Sequence, residues 1–214
     1  MTRTAESERQ PPPIVLLDER AIAARVERIA RRITADHPDG IVLVGVLKGA
    51  LVFLADLARA ITGVEVTIDF LAISRYAPDS GRVRILKDLD VDVEGRDVVL
   101  VEDLVDTGLT LAYLLAHVEE RSPRSLDVCT LLDRPARRIV PLTPRYVGEE
   151  IEDVFVLGYG LHYVDLYRNV PYIVEADRRV VLYEPAAYVD ALYGSTAFEA
   201  GSARSRRSRG RVVG

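Results

Sequence analysis

A chain of 214 residues, 49% of them apolar, is long enough to bury one full hydrophobic core and short for two ordinary domains. A single cysteine, Cys129, and three histidines leave no internal disulfide and no four-ligand structural zinc site, the pattern of a reduced, cytoplasmic protein. The net charge of −5 is lopsided: Arg204, Arg206, Arg207, Arg209 and Arg211 face only Glu199 in residues 195–214, so an acidic body precedes a basic tail.

Residues 1–13 and 195–214 are expected to be disordered tails around one domain at 14–194, because they carry charge without large apolar side chains. The basic tail reads as a solvated terminus, so nucleic acid is not the expected partner. No stretch approaches the roughly 20 apolar residues that cross a bilayer, and neither membrane insertion nor secretion is expected.

In chain order, the strand IVLL at 14–17 leads to Asp18, a good N-cap, and to Ile22, Val26, Ile29 and Ile33 at helical spacing. His37-Pro38-Asp39-Gly40 breaks that helix, IVLVGV from Ile41 reads as a fully buried strand, and residues 50–61 return to a helical pattern. Val64, Val66, Ile68 and Phe70 alternate with Glu65, Thr67 and Asp69, which predicts a strand with one wet face. Residues 74–82 have almost no apolar content and include Pro78 and Gly81; they are expected to form a mobile lid over an active site.

A second strand, loop and helix unit follows: VVLV at 98–101, then Leu111, Leu114, Leu115 and Val118 on one helical face. Apolar runs at 126–132, 154–157 and 171–174 are expected to complete the sheet. Strands alternating with helices predict an α/β fold with a mostly parallel sheet and helices on both faces.

The stretch VVLVEDLVDTGLTL at 98–111 carries the chemistry. Glu102 and Asp103 fall where a buried strand ends, and ligands of open parallel sheets bind beyond the carboxyl ends of strands. Asp106, Thr107, Gly108, Leu109 and Thr110 then open a helix, where unpaired amides and the helix dipole favour a phosphate. Paired carboxylates suit the vicinal hydroxyls of a ribose or a hard cation such as magnesium. Receiver domains also carry an acidic pair after an apolar strand, but near the chain start. No GxxxxGK[ST] or GxGxxG motif is present, so triphosphate hydrolysis and hydride transfer lack their usual marks.

This segment resembles the phosphoribosyl pyrophosphate motif of the type I phosphoribosyltransferases. GVLKGALVFLADL at 45–57, RILKDLD at 84–90, VLGYGL at 156–161 and YRNVPYI at 167–173 extend the resemblance to the hypoxanthine-guanine phosphoribosyltransferases, over residues 14–175. The resemblance implies the type I fold with a small base-binding hood, and transfer of phosphoribose to hypoxanthine or guanine in purine salvage. It also implies Mg2+ as cofactor and a homo-oligomer, dimer or tetramer. Two other readings stand beside it: a paralogue using a modified purine or deazapurine, and a nucleotide-binding protein without turnover.

By the same resemblance, Glu102 and Asp103 hold the ribose hydroxyls and metal, residues 106–110 the 5-phosphate, and Lys48, Gly49 and Arg168 the pyrophosphate. Asp106 is the general acid/base on the five-membered-ring nitrogen of the purine. Phe155 stacks on the base, with Arg134, Val156 and His162 beside it, and Ser74, Arg75 and Tyr76 belong to the lid. Four positions depart from the family pattern. Arg134 replaces a lysine and His162 an aspartate that in the family helps hold magnesium and pyrophosphate, Arg75 replaces the serine before Tyr76, and VGEEIE at 147–152 replaces VGFEIP.

Overall fold

A computed structural model describes residues 12–74 and 84–194. Arg75, Tyr76, the rest of the expected lid up to residue 82, and nearly all of both expected tails lie outside the described residues.

The first elements follow the local chemistry. Strand β1, Ile14–Leu17, ends at Asp18, whose Oδ1 accepts the Ala21 amide at 2.8 Å and caps helix α1, Glu19–Asp36. Such a cap is worth about 1 kcal/mol. Ile22, Val26, Ile29 and Ile33 form the buried stripe that the spacing predicts, and the His37 amide closes the helix on the Ile33 carbonyl. Strand β2, Ile41–Leu47, is buried almost throughout, and helix α2, Leu51–Ala60, buries Phe53, Leu54 and Leu57.

Strands β3, Val66–Ser74, β4, Arg84–Lys87, β5, Asp97–Val105, β6, Ser125–Asp133, and β7, Tyr146–Glu150, join β2 in one sheet. Its order is β4-β3-β2-β5-β6-β7, with only β4 antiparallel to its neighbour. Leu43, Val99 and Val101 pack with α1 and α2, whereas Val42, Val44, Val98 and Leu100 pack with Leu111, Leu114 and Val118 of helix α3, Leu109–Glu119. A sheet covered on both faces needs apolar side chains at consecutive positions, which is why β2 and β5 read as unbroken apolar runs.

Two expectations are corrected. The alternation in β3 does not set one wet face: Ile68 is 45% exposed, and Asp69 is buried. Asp69 is inside because its carboxylate is satisfied there, accepting the amides of Phe70, Asp90 and Val91 and a bond from Lys87 Nζ.

The apolar runs at 154–157 and 171–174 do not extend the main sheet. They contribute β8, Phe155–Leu157, and β9, Ile173–Ala176, which form a separate antiparallel sheet with β1 in the order β1-β9-β8. Periodicity marks a strand but not its partner, and here the chain start supplies it. Helices α4, Arg178–Tyr183, and α5, Val189–Tyr193, close a third core cluster with Tyr167, Tyr172 and Val174. This small sheet and its helices form the expected hood.

Candidate active site

Strand β5 runs four residues beyond the apolar run VVLV, so Glu102 and Asp103 lie within its last residues. Burial and, secondly, the charge of Asp103 push the Glu102 carboxyl well above the usual carboxylate range. A bound cation would reverse that shift. Both groups are hard oxygen donors and fit magnesium. Among the described residues no cluster of three or more acidic, histidine or cysteine side chains surrounds a metal position, so further ligands would come from substrate and water, as is usual for this ion.

Beyond Val105 the chain turns through Asp106 and Thr107 to Gly108, whose φ of +80° is reached cheaply only by glycine. No side chain caps α3; its first amide makes one long contact, 3.4 Å, to Thr107 Oγ1. The amides at Thr110 and beyond therefore present the partial positive charge of a helix start. A cavity of about 80 Å³ at this turn is lined by Glu102, Asp106, Thr107, Gly108 and Thr110.

The turn after β2 packs directly on the acidic pair. A Cβ placed at Gly49 would meet Asp103 Oδ2 at 2.1 Å, and one at Gly160 would meet the Gly49 carbonyl at 2.3 Å. The Leu47–Lys48 peptide bond is cis. Lys48 Nζ lies 3.6 Å from Asp165 Oδ1, and Arg168 Nη2 reaches the same oxygen at 3.3 Å while its Nη1 donates to the Gly160 carbonyl at 2.6 Å. The bond from Arg168, then the charge of Lys48, holds the Asp165 carboxyl below the usual carboxylate range. His162 joins the group by accepting the Asp165 amide on Nδ1 at 3.0 Å, which leaves Nε2 to carry the proton of a neutral ring. Lys48 and Arg168 thus meet the carboxylate, and His162 the backbone amide, of one aspartate that sequence reasoning passed over, because a lone aspartate in a coil carries no periodic signal.

On the other side of Asp106 lies a cavity of about 270 Å³ whose lining includes Arg134, Arg137, Asp153, Phe155 and Arg178. Arg134, almost fully buried, donates to the Val154 carbonyl at 2.5 Å, and burial lowers its pKa from the usual guanidinium value. Phe155 meets Tyr163 edge-on with centroids 6.1 Å apart. The Val156 side chain is part of the main core, so any contact it makes to a base comes from its backbone. Glu149, where the family pattern has an aromatic, pairs with Arg25 on α1 at 2.5 Å. That substitution therefore has a partner outside the Phe155 cavity.

A larger cavity of about 460 Å³ lies between α1, α2 and Tyr159. It is lined by none of the sequence-predicted site residues. The smaller clefts beside Asp106 combine acidic, basic and amide groups at the ends of strands, where ligands of open parallel sheets bind.

A family model described as the phosphoribosyl transferase domain matches residues 15–163. Hypoxanthine-guanine phosphoribosyltransferase of Mycobacterium avium is 47% identical over 176 residues, covering 78% of this chain and 86% of that protein. The Bacillus subtilis protein of the same name is 44% identical over 163 residues, with coverages of 74% and 90%. Among solved structures, a hypoxanthine-guanine phosphoribosyltransferase of Bacillus anthracis aligns with a TM-score of 0.73 and 43% identity, over 76% of this chain and 98% of that one. Hypoxanthine phosphoribosyltransferase of Trypanosoma cruzi, as a point mutant complexed with the product IMP, aligns at 0.75 and 39%, over 79% and 93%. With a doubly covered parallel sheet, a separate hood and an uncapped helix start beside paired acids, the chain belongs to the hypoxanthine-guanine phosphoribosyltransferases of the phosphoribosyl transferase family.

Proposed function

We propose that this enzyme transfers the 5-phosphoribosyl group of phosphoribosyl pyrophosphate to hypoxanthine or guanine, giving IMP or GMP and pyrophosphate in cytoplasmic purine salvage. The observation that carries this reading is the continuous stretch from Glu102 to Thr110, where two carboxylates near the end of β5 lead through a short turn into a helix start with no side-chain cap. That order of groups matches a sugar phosphate: hydroxyls on the acids and phosphate on the amides.

Glu102 and Asp103 accept the ribose hydroxyls, and the amides and hydroxyls of residues 106–110 bind the 5-phosphate. Lys48, the backbone at Gly49 and Arg168 bind the pyrophosphate, with Lys48 and Arg168 releasing Asp165 as they do so. Glu102 and Asp103 would hold Mg2+, which when bound would supply neutralisation of the charge that builds on the departing pyrophosphate. The base lies against Phe155, and its exocyclic oxygen accepts from Arg134. Asp106 takes the proton from the ring nitrogen as the glycosidic bond forms.

His162 stands at the pyrophosphate end of the site, where it offers a ring nitrogen in place of a carboxylate. Self-association as a dimer or tetramer is part of the same reading.

The decisive experiment incubates the protein with phosphoribosyl pyrophosphate, Mg2+ and a panel of bases, and compares wild type with Asp106→Asn. Wild type is expected to turn over hypoxanthine or guanine, with the variant about 10²- to 10⁴-fold slower. Turnover restricted to a deazapurine would overturn the base assignment. Binding of the donor without pyrophosphate release would overturn the activity.

A further inference from the structure

Arg137 is not among the residues that the resemblance implies, yet it touches the one group placed at the reacting proton. It ends a single 3-10 turn, Pro135–Arg137, that is tied to the phosphate loop on both sides. The Arg134 amide donates to the Val105 carbonyl at 3.0 Å, and the Ile139 and Val140 amides donate to the Thr107 carbonyl at 2.9 and 3.2 Å. From that fixed turn Arg137 reaches two carboxylates. Its Nε lies 3.2 Å from Asp106 Oδ1, and its Nη1 lies 3.4 Å from Asp153 Oδ1.

The alternatives are weaker anchors. Arg134 also approaches Asp106 Oδ1, but at 3.6 Å, and its guanidinium is engaged by the Val154 carbonyl. It is also the group assigned to the exocyclic oxygen of the base, so it turns to substrate when the pocket fills. Asp106 Oδ1 is buried and has no hydrogen bond from any described residue, so the guanidinium beside it is its main compensation. An ion pair at one carboxylate oxygen leaves the other open to an incoming proton.

We infer that Arg137 is a positioning residue: it orients Asp106 for proton transfer and, through Asp153, ties that orientation to the strand bearing Phe155. The guanidinium suits this task, since one delocalised cation can face two carboxylates at once, with Nε toward Asp106 and Nη1 toward Asp153. The inference rests on Asp106 being the general acid/base.

A double-mutant cycle on the full-length chain tests it, reading the single-turnover rate of nucleotide formation from hypoxanthine with Mg2+ present. Arg137→Ala is expected to slow that rate about tenfold while leaving the KM for phosphoribosyl pyrophosphate within about twofold. Arg137→Lys, which keeps a cation but loses the fork, should recover part of the loss. In the Asp106→Asn background, Arg137→Ala should change the rate less than about twofold, because its target is gone. A tenfold loss repeated in that background would mean that Arg137 acts elsewhere and would overturn the inference. A wild-type rate in Asp106→Asn itself would overturn the assignment of Asp106 as well, so the two failures are distinguishable. Thermal unfolding of each variant accompanies the rates, and an Arg137→Lys rate no better than that of Arg137→Ala would argue against a charge-dependent role.

Discussion

Gly49→Ala isolates the fit between the pyrophosphate turn and the acidic pair. The added methyl would sit 2.1 Å from Asp103 Oδ2, 2.6 Å from Cγ and 2.9 Å from Oδ1, against the 3.4 Å at which ordinary contact begins. Either the carboxylate or the turn must therefore give way by about 1.3 Å at the nearest atom. A displacement near 1 Å at a substrate-positioning group costs on the order of 10²-fold in rate, or about 2.7 kcal/mol of transition-state stabilisation.

Global stability should change much less, because the clash falls on side-chain atoms rather than on backbone. The assay is kcat/KM for phosphoribosyl pyrophosphate at saturating Mg2+, alongside thermal unfolding. Gly160→Ala is the contrasting variant: its φ of +95° and the rigid Gly49 carbonyl 2.3 Å from the new Cβ predict loss of stability together with activity. A Gly49→Ala enzyme within about threefold of wild type in kcat/KM would refute the reasoning, since Asp103 would then not need its observed position.

The remaining expectations concern pH and the family departures. Asp97, at the start of β5, accepts bonds from Arg124 and Ser125 and meets His37, and these hold its pKa far below the usual carboxylate value. Its contribution to stability is therefore complete above the unfolded value and is lost as pH falls through the folded one. Asp97→Asn should lower unfolding free energy by about 2 kcal/mol at neutral pH and flatten the acid-side decline in urea titrations. Equal stability of variant and wild type at pH 7 would exclude this. His162→Asp keeps an acceptor for the Asp165 amide and adds an oxygen donor, so KM for phosphoribosyl pyrophosphate should fall several-fold at high Mg2+. An unchanged or raised constant would reject a metal-related cost of the histidine.

Sequence alone was sufficient wherever the determining interaction is local. The α1 stripe, the Asp18 cap, the buried runs of β2 and β5 and the turn from Asp106 to Gly108 before α3 rest on neighbours within a few residues, although β5 runs four residues past its apolar run. Four features required the tertiary structure: the burial of Asp69, the pairing of β9 with β1 and β8, the convergence of Lys48, His162 and Arg168 on Asp165, and the clasp of Arg137 on Asp106 and Asp153. All are contacts between segments whose partners are chosen by how the layers stack. A polar or charged residue bears no periodic mark of its partner, because long-range pairing is fixed by three-dimensional proximity and by the cost of leaving buried charge uncompensated.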